Sequence, residues 1–509
     1  MQNDFDQATL DTIMNRAQPA AAKLATMSVS QIEKIVRAVA RAAVDKAEFY
    51  AEWAVRETGY GRVESKVLKN KANAEPWLTA DINTYICPRV HDADKVVEIP
   101  KPAGVITALI PVTNPVCTVS FKALDALQTR NAIILSPHPG AKECSKHALD
   151  YLHRVAVEAG APEHCLQLIP NPTVPLVNAF MADARNNLTL ATGGPAMVRA
   201  AYSSSNPAIG VGPGNVPTYV DRTANISDAA RRIVTSKSFD NSLLCTSESV
   251  IIADLQIAAQ LKSEMQAQKA FFVTDEGDRQ KLRDHVYPGG KFNPATLGKD
   301  ADVIARDAGL NVPAGTLVLV MPISGIGRHE PFSKEKLCPI LGYIEVGNSS
   351  EGIRVAKSML DIMGKGHSAF LHANDPRLAV EYGRALSVCR IAVNAEGVLG
   401  SSGTNTNLNA SAVIGTGFFG RSSVDRNVGA ESLVQWTRVA YNMDPVEVLG
   451  DMEGAVRESE QAIESGLRGA ANTAAAPAVA AALGGVDRDT LKSLLREILT
   501  EELGGMVRK

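Results

Sequence analysis

Residues 104–140, GVITALIPVTNPVCTVSFKALDALQTRNAIILSPHPG, decide the fold of this chain. They open with a β-branched run that stops at Pro111, which is typical of a buried strand. A helical segment through Phe121 follows, and a second apolar run begins at Ala132. Because strands that alternate with helices of this length lie parallel in one sheet, the stretch predicts a β-α-β unit.

The residues on either side extend this alternation. Upstream, apolar residues recur at helical spacing over residues 32–51, and Gly59 and Gly61 end the pattern. Downstream, helices are predicted over residues 141–159 and 223–237. Further strand-like runs begin at Lys95, Cys165, Leu188, Val216, Ser249, Leu317 and Ile340. We therefore predict an α/β fold with a first domain over residues 1–213 and a second over residues 214–429.

The C-terminal part of the chain has a different composition. Residues 447–485 are predicted to form a linker that becomes rich in Ala, Gly and Pro, and residues 486–509 a short amphipathic helix. Such a helix is an arm between subunits, a helix folded back on its own domain, or a peptide that docks on another protein. The tether favours the docking peptide.

Composition excludes several classes of function. A formal net charge of -3 gives no sign of a nucleic-acid partner or of an anionic membrane surface. The polar N-terminus is unlike a secretory signal, and no run approaches the roughly 20 apolar residues that span a bilayer. The seven cysteines are scattered without a CxxC pair, which predicts a reducing cytoplasm and no metal site.

Cys245 is the strongest nucleophile candidate among the cysteines. It lies in SFDNSLLCTSES, among hydroxyl, amide and carboxylate side chains, just before a strand. A lone cysteine is more often a small buried hydrophobe, but this polar setting favours a reactive thiol. The thiolate is the reactive form, so the site must stabilise its charge.

Asn114 and three glycine clusters are further candidates. Asn114 lies between two prolines, where its amide group could donate a hydrogen bond to an oxyanion or serve only as a turn residue. The clusters at 192–194 and 210–214 could bind a pyrophosphate or form simple turns. The GxGxxG at 415–420 is rejected as a dinucleotide site, because no convincing helix or acidic partner follows it.

Together these segments resemble the aldehyde dehydrogenase superfamily. The resemblance covers about residues 20–445, and its carriers are IPVTNP at 110–115, NAIILSPHPGAK at 131–142, LATGGPAMV at 190–198, GVGPGNVP at 210–217, SFDNSLLC at 238–245, EKLCPIL at 335–341, GKGHSA at 364–369 and GTGFFGRSSVDRNVG at 415–429. The chain is most similar to the CoA-acylating branch, which includes the acetaldehyde and propionaldehyde dehydrogenases of bacterial microcompartments. This resemblance implies a Rossmann-type cofactor domain, an α/β catalytic domain and a small oligomerisation extension with strands near 94–101 and 430–446.

The resemblance also implies roles for individual residues. Cys245 is the expected nucleophile, and Asn114 with the backbone N–H of Cys245 the expected oxyanion donors. Glu335 is expected to hold the nicotinamide ribose. The other expected cofactor-binding residues are Ile110, Pro111, Val112, Thr113, Ser136, Pro137, His138, Thr192, Gly193, Gly194, Val211 and Gly212. His367 lies near the site in this branch, and a buried structural histidine is the alternative reading of it.

Two departures from the hydrolytic members bear on chemistry. Ser136 stands where those members have a lysine for the adenosine ribose, so NAD is expected while NADP stays open. Val211 stands where they have a glutamate, and an apolar side chain cannot activate water as a general base. A thioester on Cys245 would then survive until a thiol such as CoA takes the acyl group.

We therefore expect a reversible, NAD-dependent and CoA-acylating oxidation of propionaldehyde or acetaldehyde. The alternatives are an acylating sulfoacetaldehyde dehydrogenase, a hydrolytic aldehyde dehydrogenase, and a non-catalytic microcompartment scaffold. The C-terminal segment resembles the encapsulation peptides of microcompartment cargo, so we expect a cytoplasmic homo-oligomer, dimer or tetramer, inside such a shell and bound to its proteins. No nucleic acid or membrane partner is expected.

Overall fold

The computed structural model of the protein describes residues 6–444 and 450–465. These residues divide into two compact units. The larger holds residues 6–87 and 98–438, and the smaller holds residues 88–97 and the described residues from 439 onward. The predicted helix at 486–509 and most of the predicted linker lie outside the described residues.

The strands alternate with helices along the larger unit, as the sequence predicted. The strands are β1 (Arg89–His91), β2 (Val96–Pro102), β3 (Val105–Leu109), β4 (Ala132–Ser136), β5 (Leu166–Leu168), β6 (Leu188–Thr192), β7 (Ala208–Val211), β8 (Val216–Val220), β9 (Glu248–Asp254), β10 (Ala270–Phe272), β11 (Val318–Pro322), β12 (Ile340–Val346), β13 (Gly366–His372), β14 (Val388–Val393), β15 (Val413–Ile414), β16 (Asn427–Val428) and β17 (Val434–Ala440). The helices are α1 (Gln7–Ala25), α2 (Val29–Asp45), α3 (Ala47–Thr58), α4 (Val63–Ala72), α5 (Pro115–Gln128), α6 (Lys142–Glu158), α7 (Val174–Ala182), α8 (Pro195–Tyr202), α9 (Ile226–Ser238), α10 (Ala258–Ala267), α11 (Glu276–Val286), α12 (Ala301–Asp307), α13 (Ser349–Ile362), α14 (Pro376–Ala385), α15 (Gly397–Ser401) and α16 (Met452–Glu464).

The first sheet is built around residues 104–140. Its five parallel strands lie in the order β5-β4-β3-β6-β7. The first strand in sequence, β3, is central; β4 and β5 lie on one side of it, and β6 and β7 lie on the other. Ile133, Ile134 and Leu135 on β4 are fully buried, as expected for a parallel strand with both faces covered. The strand order reverses between β3 and β6, which opens a crevice at the carboxyl ends of these two strands.

The second sheet has seven parallel strands in the order β10-β11-β12-β9-β8-β13-β14. It falls within residues 214–429, which the sequence predicted as a second domain, but both parallel sheets belong to the same compact unit. All seven residues of β9 and all seven of β13 are buried. The strands with site residues at their ends are therefore the rigid centre of the sheet.

Local chemistry explains where the helices begin and end. Helix α3 ends at Gly59, whose φ of 68° is the left-handed conformation that favours glycine. Helix α9 begins at Ile226 rather than at the predicted residue 223, because the Asn225 side chain accepts the N–H of Asp228 at 3.2 Å. An asparagine at this position satisfies an N–H that the first turn leaves free.

The smaller unit corrects one expectation from the sequence. Residues 447–485 were predicted to be linker throughout, but Met452–Glu464 forms α16. Asp451 caps this helix by accepting the N–H of Gly454 at 2.7 Å, and Val456 and Ile463 lie at helical spacing. The helix was not predicted because the segment is highly charged and its apolar residues at helical spacing are few.

Two general properties of the described residues bear on function. None of the helices within 6–444 and 450–465 combines the length and the apolar character needed to cross a membrane. The same residues contain no group of three or more His, Cys, Asp and Glu side chains placed to hold a metal ion.

Candidate active site

The carboxyl edge of the five-stranded sheet brings together the segments predicted to bind the cofactor. Residues 110–113 follow β3, residues 136–138 end β4 and follow it, residues 192–194 end β6 and follow it, and residues 211–212 end β7 and follow it. The N–H of Ile110 donates to the carbonyl of Ser136 at 2.9 Å, which joins the first two segments. Parallel α/β sheets bind nucleotides in the crevice at such a reversal of strand order.

The backbone at this edge is open to a dinucleotide phosphate. Gly194 precedes helix α8 and makes no side-chain cap. Pro195 has no N–H and the N–H of Met197 donates to the carbonyl of Gly194 at 3.0 Å, so the N–H of Ala196 is the group of the first turn that can face an anion. A Cβ atom added at Gly194 or at Gly212 would meet nothing within 4 Å. Ser136 is buried, and His138 is exposed. The open backbone at Gly194 and Gly212 therefore fits the phosphates of a dinucleotide.

Lys122 holds the strand ends at this edge together, a role that was not predicted from the sequence. Its ammonium group donates to the carbonyl of Leu109 at 2.7 Å and to the hydroxyl of Thr192 at 3.1 Å. Full burial lowers the pKa of Lys122 to about 7. Lys122 therefore joins the ends of β3 and β6, the two strands that flank the crevice.

The nucleophile candidate, Cys245, lies at the amino ends of the strands of the seven-stranded sheet, whereas the predicted cofactor segments lie at the carboxyl ends of the five-stranded sheet. Cys245 precedes β9, Glu335 precedes β12, Gly214 precedes β8 and His367 is near the start of β13. These four strands are neighbours at the centre of the sheet. The structure thus brings together residues that are 153 positions apart in the sequence, from Gly214 to His367.

Gly214 is the point at which these residues meet. Its N–H donates to the Glu335 carboxylate at 3.2 Å. A Cβ atom at Gly214 would collide with the carbonyl oxygen of Cys245 and would approach the Nδ1 of His367 to 3.4 Å. Only glycine permits this approach, so the GVGPGNVP segment packs against the nucleophile loop.

The surroundings of Cys245 favour its protonated thiol form. Burial and the nearby Glu335 carboxylate raise the pKa of Cys245 to about 12, and the Arg390 guanidinium opposes that shift. Arg390 is held by the carbonyls of His367 at 2.9 Å and Asp425 at 2.8 Å. The Arg390 guanidinium favours the ionised form of Cys245, and no motif in the sequence indicated that Arg390 lies here.

Glu335 is poised between its two protonation states. Burial raises the pKa of its carboxyl group to about 7, while the N–H of Gly214 and the charges of Lys237 and Lys336 act in the opposite direction. Its carboxyl oxygens accept hydrogen bonds in either protonation state, and more strongly when the group is ionised.

His367 lies beside the nucleophile as a neutral imidazole. It is fully buried, its Nδ1 lies 3.2 Å from the hydroxyl of Ser368, and its Nε2 has no hydrogen-bond partner among the described residues. Burial and Arg390 lower the pKa of His367 to about 3. A ring with such a pKa is a weak base, so hydrogen bonding rather than proton abstraction suits it.

Asn114 begins helix α5 but makes no side-chain cap, so its amide is not used to hold the helix. The Oδ1 of Asn114 accepts from the Lys69 ammonium at 2.5 Å. Lys69 also binds Asp240, five positions before Cys245. The described contacts therefore connect Asn114 with the nucleophile loop through Lys69 and Asp240, neither of which the sequence analysis singled out.

Val211 ends strand β7 and is 3% exposed. It is paired in register with Thr192 on β6. The side chain adds no carboxylate to this part of the site.

The sequence and the fold were compared with those of known proteins. Residues 2–282 match the sequence profile of the Aldehyde dehydrogenase family, which is more than half of the chain. The chain belongs to this family. It is 33% identical over 438 residues to the acetylating succinate-semialdehyde dehydrogenase of Clostridium kluyveri, covering 86% of this chain and 96% of that one.

A longer relative shares the same region. The aldehyde-alcohol dehydrogenase of Clostridium acetobutylicum is 36% identical over 438 residues, 85% of this chain and 50% of the relative. The chain therefore spans about half the length of that relative.

Solved structures share the fold over most of the chain. An acetylating aldehyde dehydrogenase from Geobacillus thermoglucosidasius matches with a TM-score of 0.82 and 37% identity, covering 86% of this chain and 97% of that one. A propionaldehyde dehydrogenase from the fucose utilisation microcompartment of Clostridium phytofermentans matches with a TM-score of 0.79 and 28% identity, covering 86% and 98%. The propionaldehyde dehydrogenase of Rhodopseudomonas palustris, solved with bound CoA and an acylated cysteine, matches with a TM-score of 0.78 and 28% identity, covering 85% and 97%.

Proposed function

We propose that this aldehyde dehydrogenase oxidises a short-chain aldehyde to an acyl-CoA through a thioester on Cys245. The observation that carries the proposal is the buried, apolar Val211 at a position where the hydrolytic branch has a glutamate. Without a carboxylate there, water has no general base to activate it. The relatives that are named as acetylating, and the relative with bound CoA, support the same acceptor.

The protein groups have distinct tasks in the proposed reaction. The Cys245 thiolate bonds to the aldehyde carbon, and the negative charge moves to the carbonyl oxygen. The amide of Asn114 and the backbone N–H of Cys245 donate hydrogen bonds to that oxygen. The carboxyl edge and Glu335 would hold NAD, which would supply the acceptor for the hydride of the aldehyde carbon. Loss of that hydride lets the carbonyl group re-form, which leaves the acyl group on Cys245 as a thioester. The CoA thiolate then attacks the thioester and displaces Cys245, which returns to the thiolate. Because one thioester replaces another, the reaction also runs in reverse.

The decisive experiment follows NADH formation from propionaldehyde with and without CoA. Without CoA, we expect a burst of about one NADH per active site and then no turnover, because the acyl group stays on Cys245. With CoA, we expect steady NADH and propionyl-CoA formation. Steady, CoA-independent release of propionate would instead establish a hydrolytic enzyme.

The substrate is proposed to be propionaldehyde or acetaldehyde. The likeness to two propionaldehyde dehydrogenases favours a small apolar aldehyde. The same assay with sulfoacetaldehyde and succinate semialdehyde identifies a polar substrate, if kcat/KM is higher for one of them. Repeating it with NADP in place of NAD decides the cofactor preference that Ser136 leaves open.

We further propose that the enzyme is a homo-oligomer inside a bacterial microcompartment. The pairing of β2 with β17 in one small sheet, near the two segments that the resemblance assigns to an oligomerisation extension, supports the oligomer. The likeness to a microcompartment enzyme supports the location. The docking segment is then residues 486–509, whose sequence has an apolar stripe.

Deleting residues 486–509 is expected to leave NADH formation unchanged and to abolish co-sedimentation with shells. The reason is that the segment follows a linker and lies outside the motifs that carry the chemistry. Centrifugation with purified shells measures the docking, and size-exclusion chromatography measures the oligomeric state. Lost activity or a smaller oligomer would make the segment a structural arm.

A further inference from the structure

Helix α4 carries two buried lysines that face the loop before the nucleophile. The side chains of Lys66 and Lys69 are 4% and 8% exposed, and that of Asp240 is 0% exposed. Lys66 binds the Oδ2 of Asp240 at 3.1 Å, and Lys69 binds the same oxygen. Buried charges are costly unless they are paired, so two lysines around one carboxylate require an explanation.

Lys69 makes a second contact that Lys66 does not make. Its ammonium donates to the Oδ1 of Asn114 at 2.5 Å, whereas Lys66 donates to the backbone carbonyl of Thr113 at 3.1 Å. The Nδ2 of Asn114 donates to the hydroxyl of Thr113 at 3.1 Å. Because an amide nitrogen has two hydrogens, this arrangement leaves the second one for a ligand.

Asp240 holds the loop that leads to Cys245. Its Oδ1 accepts the N–H of Arg62 at 2.8 Å, and its own N–H donates to the hydroxyl of Ser65 at 3.0 Å. Asp240, Asn241 and Ser242 have φ values of 47°, 51° and 65°, which is a left-handed run that L-residues rarely adopt. Such backbone persists only when its surroundings hold it in place.

The charges of this cluster do not cancel. Two ammonium groups share one carboxylate, which leaves a net positive charge on the far side of the Asn114 amide. Burial and the neighbouring Lys69 lower the pKa of Lys66 to about 8, and the Asp240 carboxylate opposes that shift. A cation bonded to an amide oxygen polarises the amide and makes its N–H a stronger donor.

We propose that Lys69 is a positioning residue that orients and polarises Asn114 for the oxyanion while it ties this amide, through Asp240, to the nucleophile loop. The inference rests on the proposed role of Asn114. Lys69 touches neither the aldehyde nor Cys245 in this scheme. Its effect on the acylation step therefore passes through the Asn114 amide.

A double-mutant cycle tests this dependence. The burst of NADH without CoA is measured for wild type, Lys69→Met, Asn114→Ala and the double variant. Lys69→Met is expected to slow the burst about tenfold when Asn114 is present, a coupling within the usual range for residues in contact. In the Asn114→Ala background, we expect less than about a twofold effect, because the amide that Lys69 acts on is gone.

Lys66→Met is the matched control. It removes an ammonium from the same carboxylate but none from Asn114, so its effect on the burst is expected to be similar in both backgrounds. Thermal denaturation of each variant checks folding. If Lys69→Met does not fold, Lys69→Gln replaces it; because glutamine keeps an N–H donor and loses only the charge, we expect a smaller loss of burst rate, again confined to the background with Asn114.

The outcomes separate this inference from the proposed function. Equal losses from Lys69→Met in both backgrounds would overturn the positioning role and leave Lys69 as a support of the fold. An unchanged burst in Asn114→Ala alone would overturn the oxyanion role of Asn114, and with it the basis of the inference. A Lys69 effect that disappears with Asn114, beside a Lys66 effect that does not, supports the proposal.

Discussion

Replacing Cys245 with alanine is expected to lower NADH formation by at least about 10⁴-fold, because no other group can form the covalent intermediate. Neither the burst without CoA nor the steady rate with CoA should remain. Mass spectrometry after incubation with propionaldehyde and NAD is expected to find an acyl group on the wild type and none on the variant.

The matched control for Cys245 is Cys389→Ala. Cys389 is half-buried like Cys245 and lies in the same unit, but no step of the proposed mechanism uses it. Its replacement is expected to leave both rates within about twofold of the wild type. Activity retained by Cys245→Ala, or lost in Cys389→Ala, would move the nucleophile assignment away from Cys245.

Replacing Asn114 with alanine is expected to slow the burst by about 10²- to 10³-fold, the usual cost of losing one oxyanion donor. Asn114 makes no cap for helix α5, but its loss removes an acceptor from the buried Lys69 ammonium, so we expect a loss of about 1–3 kcal/mol of stability with the protein still folded. Stopped-flow absorbance of NADH measures the burst, and a melting curve measures the stability. NAD affinity should be unchanged.

Asn225→Ala is the control, because it is expected to lower the stability without lowering the burst rate. The Asn225 side chain caps helix α9, so its removal is expected to cost about 1 kcal/mol of stability while the burst rate per folded molecule stays the same. If Asn114→Ala lost stability rather than rate, Asn114 would be a structural turn residue and the oxyanion assignment would fail.

The parallel sheets could be predicted because their strands are apolar and regularly spaced. Residues 105–109 and 132–136 are strands β3 and β4, and the helix between them is α5, as residues 104–140 predicted. Helix boundaries were less exact, since a cap such as Asn225 depends on local geometry. Helix α16 was missed because its segment is highly charged.

Lys66, Lys69 and Asp240 could not be found from the sequence. Helix α4 reads VESKVLKNKA, a polar segment that resembles an exposed surface. The only available signal was the three-residue spacing of the two lysines, which puts them on neighbouring turns of one face. That face is buried because the nucleophile loop, about 170 residues later, and the turn before helix α5 both contact it.

By itself, the sequence determined the α/β class, the order of the strands along the chain and the choice of Cys245 as the nucleophile candidate. These results depend on local periodicity and on short motifs, both of which can be read from the sequence. Only the tertiary structure decided which side chains surround Cys245 and what they do to its charge. Burial, Glu335 and Arg390 set the pKa of the thiol, and these groups come from distant strands. Electrostatic interactions depend on distance through space, and the chain's order along the sequence does not give that distance.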